Sequence, residues 1–265
     1  MIENMVDVHA HVIPGVDDGS RNEHISMEII KEEYDLGMRH QFCTPHMNDR
    51  SEMEAIPQMK DLLEHLKASC EENCPELTLY LGYELGPDFD ILGAMKSEGE
   101  RLTMGDTDYI LIGPLFSGCS NNMMDMFYDL QTAGYVPVLA HPERMGYYKK
   151  DPKILEEYVE KGVLLQVNAP SLMGRYGDET KNFCRELIDH NWVSFVASDN
   201  HRAHAESRMF KGYEYIAKHW DKDLADKLLI TNGLTLIKNG LIENEEPLKW
   251  HQSKKSFWQI IFGKK

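Results

Sequence analysis

The two histidines of Asp7-Val8-His9-Ala10-His11 have a spacing with chemical content. In an extended strand, residues i and i+2 leave by the same face. A strand led in by Met5 and Val6 would therefore present both imidazoles side by side, with Pro14-Gly15 turning the chain and Asp18 following on the loop. Neutral imidazoles are good ligands for zinc and other transition ions. The same spacing recurs in Asp199-Asn200-His201, and His46, Glu84 and His141 each close a strand-like run. Singly, His46, His141 and His201 read as readily as hydrogen-bonded core or loop histidines; as an ordered set at successive strand ends they read as ligands. The candidate metal ligands are thus His9, His11, Asp18, His46, Glu84, His141, Asp199 and His201. Histidine and carboxylate donors without an obvious thiolate suit manganese, iron or zinc, and this many donors exceed the needs of one ion, so a cluster of two or three divalent ions is expected. Such clusters activate water and clamp phosphoryl oxygens during in-line displacement. Arg144 and Arg208 are the candidate partners for the phosphate, through bidentate hydrogen bonds. Asp17 reads as a turn former beside the ligand Asp18, and His24, His40, His65, His190, His204, His219 and His251 read as solvated.

The elements that must position these residues alternate along the chain. After the opening strand, residues 22–36 read as a helix that stops at Gly37, and 41–44 as a short strand ending at Pro45-His46. A long helix over 52–72 precedes an alternating strand over 77–84 that ends on a carboxylate. The apolar run 109–113 has the composition of a buried parallel strand. Helices over 121–133, 151–161 and 178–190 then alternate with strands over 136–140, 163–168 and 193–198, and helices near 206–219 and 221–230 follow. Seven strand-like runs alternating with helices predict a parallel sheet. Ligand types at so many strand ends favour a closed barrel over an open doubly wound sheet, because a barrel gathers those ends at one face. One barrel unit over residues 1–240 is expected, followed by a basic and aromatic tail over 241–265.

Composition narrows the functional classes. The chain has 265 residues and a formal net charge of −16, which disfavours general binding to nucleic acid. An anionic substrate would also be repelled unless metals or arginines made the pocket locally positive. No apolar stretch reaches the roughly 20 residues of a membrane span, and the N-terminus has neither the basic nor the apolar region of a signal peptide. The five cysteines, at 43, 70, 74, 119 and 184, are odd in number and lack Cys-x-x-Cys spacing, so they read as reduced thiols of a cytoplasmic protein. None is followed six residues later by arginine, which excludes the Cys-x5-Arg loop of thiol-dependent phosphatases.

The ordered motifs resemble one family. The His-Ala-His opening, the Asp17-Asp18-Gly19 loop, Thr-Pro-His46, Gly-Tyr-Glu84, Ala-His-Pro-Glu-Arg144 and Ser-Asp-Asn-His201 are similar to the polymerase-and-histidinol-phosphatase superfamily. Within it they most resemble the bacterial manganese-dependent tyrosine phosphatases of capsule and exopolysaccharide loci. The resemblance spans roughly Met1 to Asn239. It implies a distorted (β/α)7 barrel, an ion cluster of manganese type, and a phosphotyrosine-bearing partner, a tyrosine kinase tail. It further implies one ion on His9, His11, Glu84 and Asp199, a second on Glu84 and His141, and a third on Asp18, His46 and His201, with Arg144 and Arg208 gripping phosphate. The sequence departs from the family at Ile112-Gly113-Pro114, where members usually carry a glutamate for the second ion. Strand parity would aim a side chain at Gly113 toward the ligands. The alternatives left open are a small-molecule phosphomonoesterase of the histidinol-phosphatase type, and a metal-stabilised regulatory or binding module with weakened turnover.

Overall fold

The computed structural model describes residues 2–114, 122–203 and 208–250. Nine short strands account for the seven predicted runs: β1 (Met5–Ala10), β2 (Met38–Cys43), β3 (His46–Met47), β4 (Thr78–Leu81), β5 (Glu84–Leu85), β6 (Tyr109–Ile112), β7 (Val136–Ala140), β8 (Leu164–Asn168) and β9 (Val193–Ala197). Two runs are interrupted just before a candidate ligand. Pro45, which has no N–H to give a ladder, separates β2 from β3, and Gly82-Tyr83 separates β4 from β5. Pairing resumes across the breaks, with Gly82 N donating to Cys43 O at 2.9 Å and Glu84 N to Pro45 O at 3.0 Å. Every strand pair is parallel, in sheets ordered β1-β2-β4 and β3-β5-β6-β7-β8-β9. Beyond β9, Asn200 bridges to Ala10 of β1. His11 N donates to Asn200 O and Asp199 N to His9 O, both at 2.9 Å. The predicted α/β class with parallel strands is therefore observed.

Apolar side chains fill both faces of these strands, as their near-continuous hydrophobic runs require. Alternate residues pack into one cluster, among them Val6, Val8, Tyr109, Leu111, Val138 and Phe195. Their neighbours Ile110, Ile112, Leu139, Val167 and Val196 belong to a larger cluster shared with the helices. Helix Glu23–Tyr34 starts where the Asn22 side chain accepts from Ile25 N, and it buries Ile29 and Ile30. Helix Ile56–Asn73 buries Ile56, Met59, Leu63, Leu66 and Cys70 at helical spacing; the turn before it, Arg50–Ala55, is a 3-10 helix where a continuous α-helix was expected. Helix Asp178–Asp189 and helix Arg208–His219 follow their predicted positions.

The end of the chain is more built than the sequence indicated. Residues 222–237 form helix Lys222–Asp226, a π-helical turn Lys227–Thr231 and helix Asn232–Ile237. Asn191 Nδ2 donates to Glu246 O at 3.0 Å and Trp192 Nε1 to Leu248 O at 2.9 Å. The Trp250 ring stacks on His190 with centroids 4.7 Å apart. His190 is consequently buried, its Nδ1 2.6 Å from Glu186 O, and the solvated reading of this residue is corrected. Residues 251–265, with most of the expected tail, lie outside the described residues, as do Cys119, His204 and His251.

Helix Asn232–Ile237 crosses β1 closely enough that a Cβ on Gly233 would sit 2.4 Å from Val6 Cβ, a distance no real pair tolerates. Gly233→Ala must push the helix off the strand that carries His9 and His11. A loss of about 1–3 kcal/mol is expected, the usual cost of overpacking, measured by denaturant unfolding. An unchanged midpoint would show that the helix can shift without penalty.

Candidate metal centre

Each candidate ligand except Asp18 lies at or just beyond the carboxyl end of a strand, and the strands bring all eight together. His9 Nε2 and His11 Nε2, projecting from the same face of β1, lie 3.0 Å apart. Glu84 Oε2 is 3.3 Å from His9 Nε2 and 3.4 Å from His11 Nε2. Asp199 Oδ1 lies 3.8 and 3.6 Å from the same two nitrogens. Glu84 Oε2 is also 2.9 Å from His46 Nδ1, and Glu84 Oε1 is 3.0 Å from His141 Nε2. Asp18, on the loop after β1, places Oδ1 3.3 Å from His46 Nε2 and 3.4 Å from His201 Nε2. Three donor groups result: His11, Asp18, His46 and His201; His9, His11 and Glu84; and His9, His141 and Asp199.

Hydrogen bonds fix which nitrogen of each opening histidine faces inward. Asn168 Nδ2 donates to Asp199 Oδ2 at 2.6 Å, Gln166 Nε2 donates to Asn168 Oδ1 at 2.8 Å, and Gln166 Oε1 therefore meets His9 Nδ1 at 2.9 Å as an acceptor. His9 must donate from Nδ1, which leaves the Nε2 lone pair pointing at the centre. Asp17 Oδ2 does the same for His11 Nδ1 at 2.7 Å, while Asp17 Oδ1 accepts from Gly19 N as the expected turn former. Carboxylate or amide partners that orient ligating imidazoles are the usual surroundings of a metal site. Asp17 in this second role, Gln166 and Asn168 were missed by sequence reading; the i, i+2 amides at the end of an apolar strand were the available signal.

These donors fit a divalent ion. Two inward lone pairs 3.0 Å apart repel unless a cation or a proton lies between them. Donors about 2.0–2.2 Å from a tetrahedral zinc-like ion lie roughly 3.3–3.6 Å from one another, close to the His9, His11, Glu84 and Asp199 separations above. The backbone also bends to bring ligands in: His141 (φ 34) and Asp199 (φ 48) both adopt the left-handed region, at a cost of about 1–3 kcal/mol each. Gly113 lies in the same place, and a Cβ there would point at Glu84 Oε1 from 2.7 Å. The expected direction is thus found, with the Glu84 carboxylate already occupying that space.

Charge compensates charge in this buried cluster. Burial works against the Glu84 carboxylate, but His9, His11, His141 and His46 hold it well below the usual range. Burial likewise opposes ionised Asp199, and His9, His141 and His11 bring it down to about 2. For His9, burial disfavours the imidazolium, yet Glu84 and Asp199 outweigh it and raise it to about 9. His11 meets the same burial and is raised to about 9 by Asp17 and Glu84.

A cavity of about 320 Å³ is lined by six of the candidate ligands, all but His9 and His11, and also by Arg144, Arg175, Tyr176, Arg202 and Arg208. Arg144 reaches Asp199 Oδ2 from Nη1 at 3.1 Å, and its guanidinium lies over the Tyr176 ring, 4.7 Å from the centroid. Arg208 is buried where a helix-start arginine is commonly solvated, its Nη1 donating to Asp199 O at 2.9 Å. Both predicted arginines therefore face the site. Arg175, Tyr176 and Arg202 were not anticipated, because nothing in their local sequence marks them as pocket residues.

The model of the capsular polysaccharide synthesis family CpsB/CapC matches residues 5–238. This chain belongs to that family. It is 32% identical over 252 residues to the tyrosine-protein phosphatase YwqE of Bacillus subtilis (strain 168), covering 92% of this chain and 95% of that one. Identity to the tyrosine-protein phosphatase CpsB of Streptococcus agalactiae serotype V is 28% over 255 residues, covering 90% and 100%. Among solved structures, one from work on YwqE from Bacillus subtilis and CpsB from Streptococcus pneumoniae, called metal-dependent tyrosine phosphatases, superposes with a TM-score of 0.82 at 28% identity, covering 92% of this chain and 98% of that chain. A phosphotriesterase homology protein from Escherichia coli shares the fold, with a TM-score of 0.52 at 10% identity.

Protons would compete with a bound ion for His9 and His11, so pH dependence has a defined sign. In the ion-free protein their raised values stabilise the fold fully below about 6.5, the unfolded-chain value, and that contribution is lost as pH rises through about 9. The same deprotonation would free these candidate ligands for an ion. Between about pH 7 and 9 the melting temperature of chelated protein should fall while the increment from added manganese widens. An increment that narrowed over this range would contradict the assignment of these imidazoles as ligands.

Proposed function

We propose that this protein is a metal-dependent phosphatase that hydrolyses phosphotyrosine on a partner protein. The observation that carries the reading is the convergence of eight carboxylate and imidazole donors, six of which line one cavity together with Arg144 and Arg208. His9, His11, Glu84 and Asp199 would hold one ion, Glu84 with His141 a second, and Asp18, His46 and His201 a third, manganese being the expected metal and iron or zinc the alternatives. Bound ions would supply an activated water and electrostatic stabilisation of the phosphoryl group. Arg144, anchored through Asp199, and Arg208, anchored on the Asp199 carbonyl, present guanidinium donors suited to phosphate oxygens. The described cysteines support a thiol-independent route. Cys43, Cys70, Cys74 and Cys184 are buried, and burial raises each thiol above its ordinary value, the opposite of an activated nucleophile.

The two sheets, with the Ala10–Asn200 bridge, are read as a distorted seven-stranded barrel over residues 1–240, with 241–265 appended. No helix among the described residues is long and apolar enough to cross a membrane, and a cytoplasmic enzyme acting on the tail of a tyrosine kinase is the setting we favour. The Glu84 carboxylate filling the space at Gly113 favours a second reading, a metal-stabilised binding module with weak turnover. Parallel assays on phosphotyrosine peptide and histidinol phosphate, with manganese or chelator, separate these readings. Manganese-supported turnover of the peptide over histidinol phosphate is expected. Peptide binding with negligible turnover would select the module, and the reverse substrate preference the small-molecule enzyme.

Arg144→Ala should lower kcat/KM by a factor on the order of 10² or more, as removal of an electrostatic stabiliser does. Arg144→Lys should restore only part of it, because an ammonium cannot form the bidentate fork. Normal kinetics with altered stability in both variants would make Arg144 a clamp on Asp199 alone.

A further inference from the structure

The turn after helix Ala169–Leu172 puts a cation and an aromatic ring at the mouth of the cavity. Gly174 (φ 86) and Gly177 (φ 89) occupy the left-handed region open to glycine. Gly177 N donates to Gly174 O at 3.1 Å, and Arg175 N donates to Pro170 O at 3.0 Å. The two residues between the glycines, Arg175 and Tyr176, are thereby held out from the body over the site. Tyr176 is the large side chain here: its ring stacks with the Arg144 guanidinium at 4.7 Å, and 38% of its surface stays open. Arg175 has no carboxylate partner among the described residues, although the chain carries a net charge of −16. It lines the same cavity as Arg144 and Arg208. Guanidiniums of Arg144, Arg175 and Arg208 in the lining of one cavity favour an anion in that space.

We propose that the Gly174–Gly177 turn is the specificity element of this site, Tyr176 stacking on the aryl ring of the substrate while Arg175 adds a third positive charge to its phosphate. The proposal rests on the phosphotyrosine reading and deepens it. An aryl phosphate places a flat ring one bond beyond the phosphate ester oxygen, within reach of an aromatic face at the cavity mouth; an alkyl phosphate offers no such surface. Offset or edge-to-face pairs of this kind contribute a factor of roughly 2–10 in affinity, and the guanidinium on Tyr176 holds that ring in place by cation–π contact.

The test compares one peptide carrying phosphotyrosine or phosphoserine at the same position. The manganese-loaded wild type, Tyr176→Ala, Tyr176→Phe and Arg175→Ala are assayed for kcat/KM, and the metal-free proteins for binding by fluorescence anisotropy. Tyr176→Ala should lower the phosphotyrosine-to-phosphoserine ratio by roughly 2- to 10-fold in both readouts, and Tyr176→Phe should keep it. Arg175→Ala should weaken both peptides alike, by about 10-fold, as expected for one charge-assisted contact to phosphate. A ratio unchanged in Tyr176→Ala while wild type hydrolyses phosphotyrosine overturns the inference and leaves the function standing. Absent hydrolysis by wild type overturns the function, and the binding ratios then decide the inference alone: a lower ratio in Tyr176→Ala supports it, an unchanged ratio overturns it.

Discussion

The Glu84 carboxylate is the point on which the rest of the site depends. It is 4% exposed and faces four imidazoles, those of His9, His11, His46 and His141. A lone buried carboxylate would cost several kcal/mol in lost hydration. Here His9 and His11, both raised to about 9, offset that cost as imidazoliums, and bound cations would do so with neutral rings. The cluster is balanced only as a whole, and removing one member leaves the others with uncompensated charge.

Holding such a cluster requires a scaffold that does not yield. The parallel strands supply it by packing apolar side chains on both faces, so that their ends are fixed in register with one another. The scaffold also carries strain at the site, in the left-handed backbones of His141 and Asp199. That strain persists because the neighbouring pairing over-determines it: His141 N donates to Gln166 O and Asp199 N to His9 O. The relay from Asp199 through Asn168 and Gln166 to His9 then makes the orientation of one candidate ligand depend on three strand ends.

Electrostatics divides the molecule into two regions. The whole chain is strongly acidic, yet its candidate site cavity is rimmed by Arg144, Arg175, Arg202 and Arg208. Within a Debye length of about 8 Å at physiological salt, local arginines outweigh distant carboxylates for a phosphate that has entered. Beyond that distance, the overall charge opposes nonspecific polyanions, as composition alone had indicated.

Local pattern sufficed for much of this protein. Apolar runs near 109–113, 136–140 and 193–198 are visible because buried parallel strands need them, and His-x-His or Asp-x-His at a strand end is visible because side chains alternate with period two. Tertiary structure decided what depends on residues distant in sequence. The breaks at Pro45 and Gly82 become clear only once the strands pair across them. Asp17 looks like a turn residue until His11 is seen against it, and Gln166 and Asn168 look like strand polars until His9 and Asp199 flank them. His190 looks solvated until Trp250 covers it. Arg175 and Tyr176 occupy a glycine-flanked turn with no chemical signature of its own, and the cavity beneath them exists only because strand ends from distant parts of the chain meet there. Sequence determined which chemistry was available and on which elements; hydrogen-bond direction, burial and charge balance were set by contacts that only the folded chain creates.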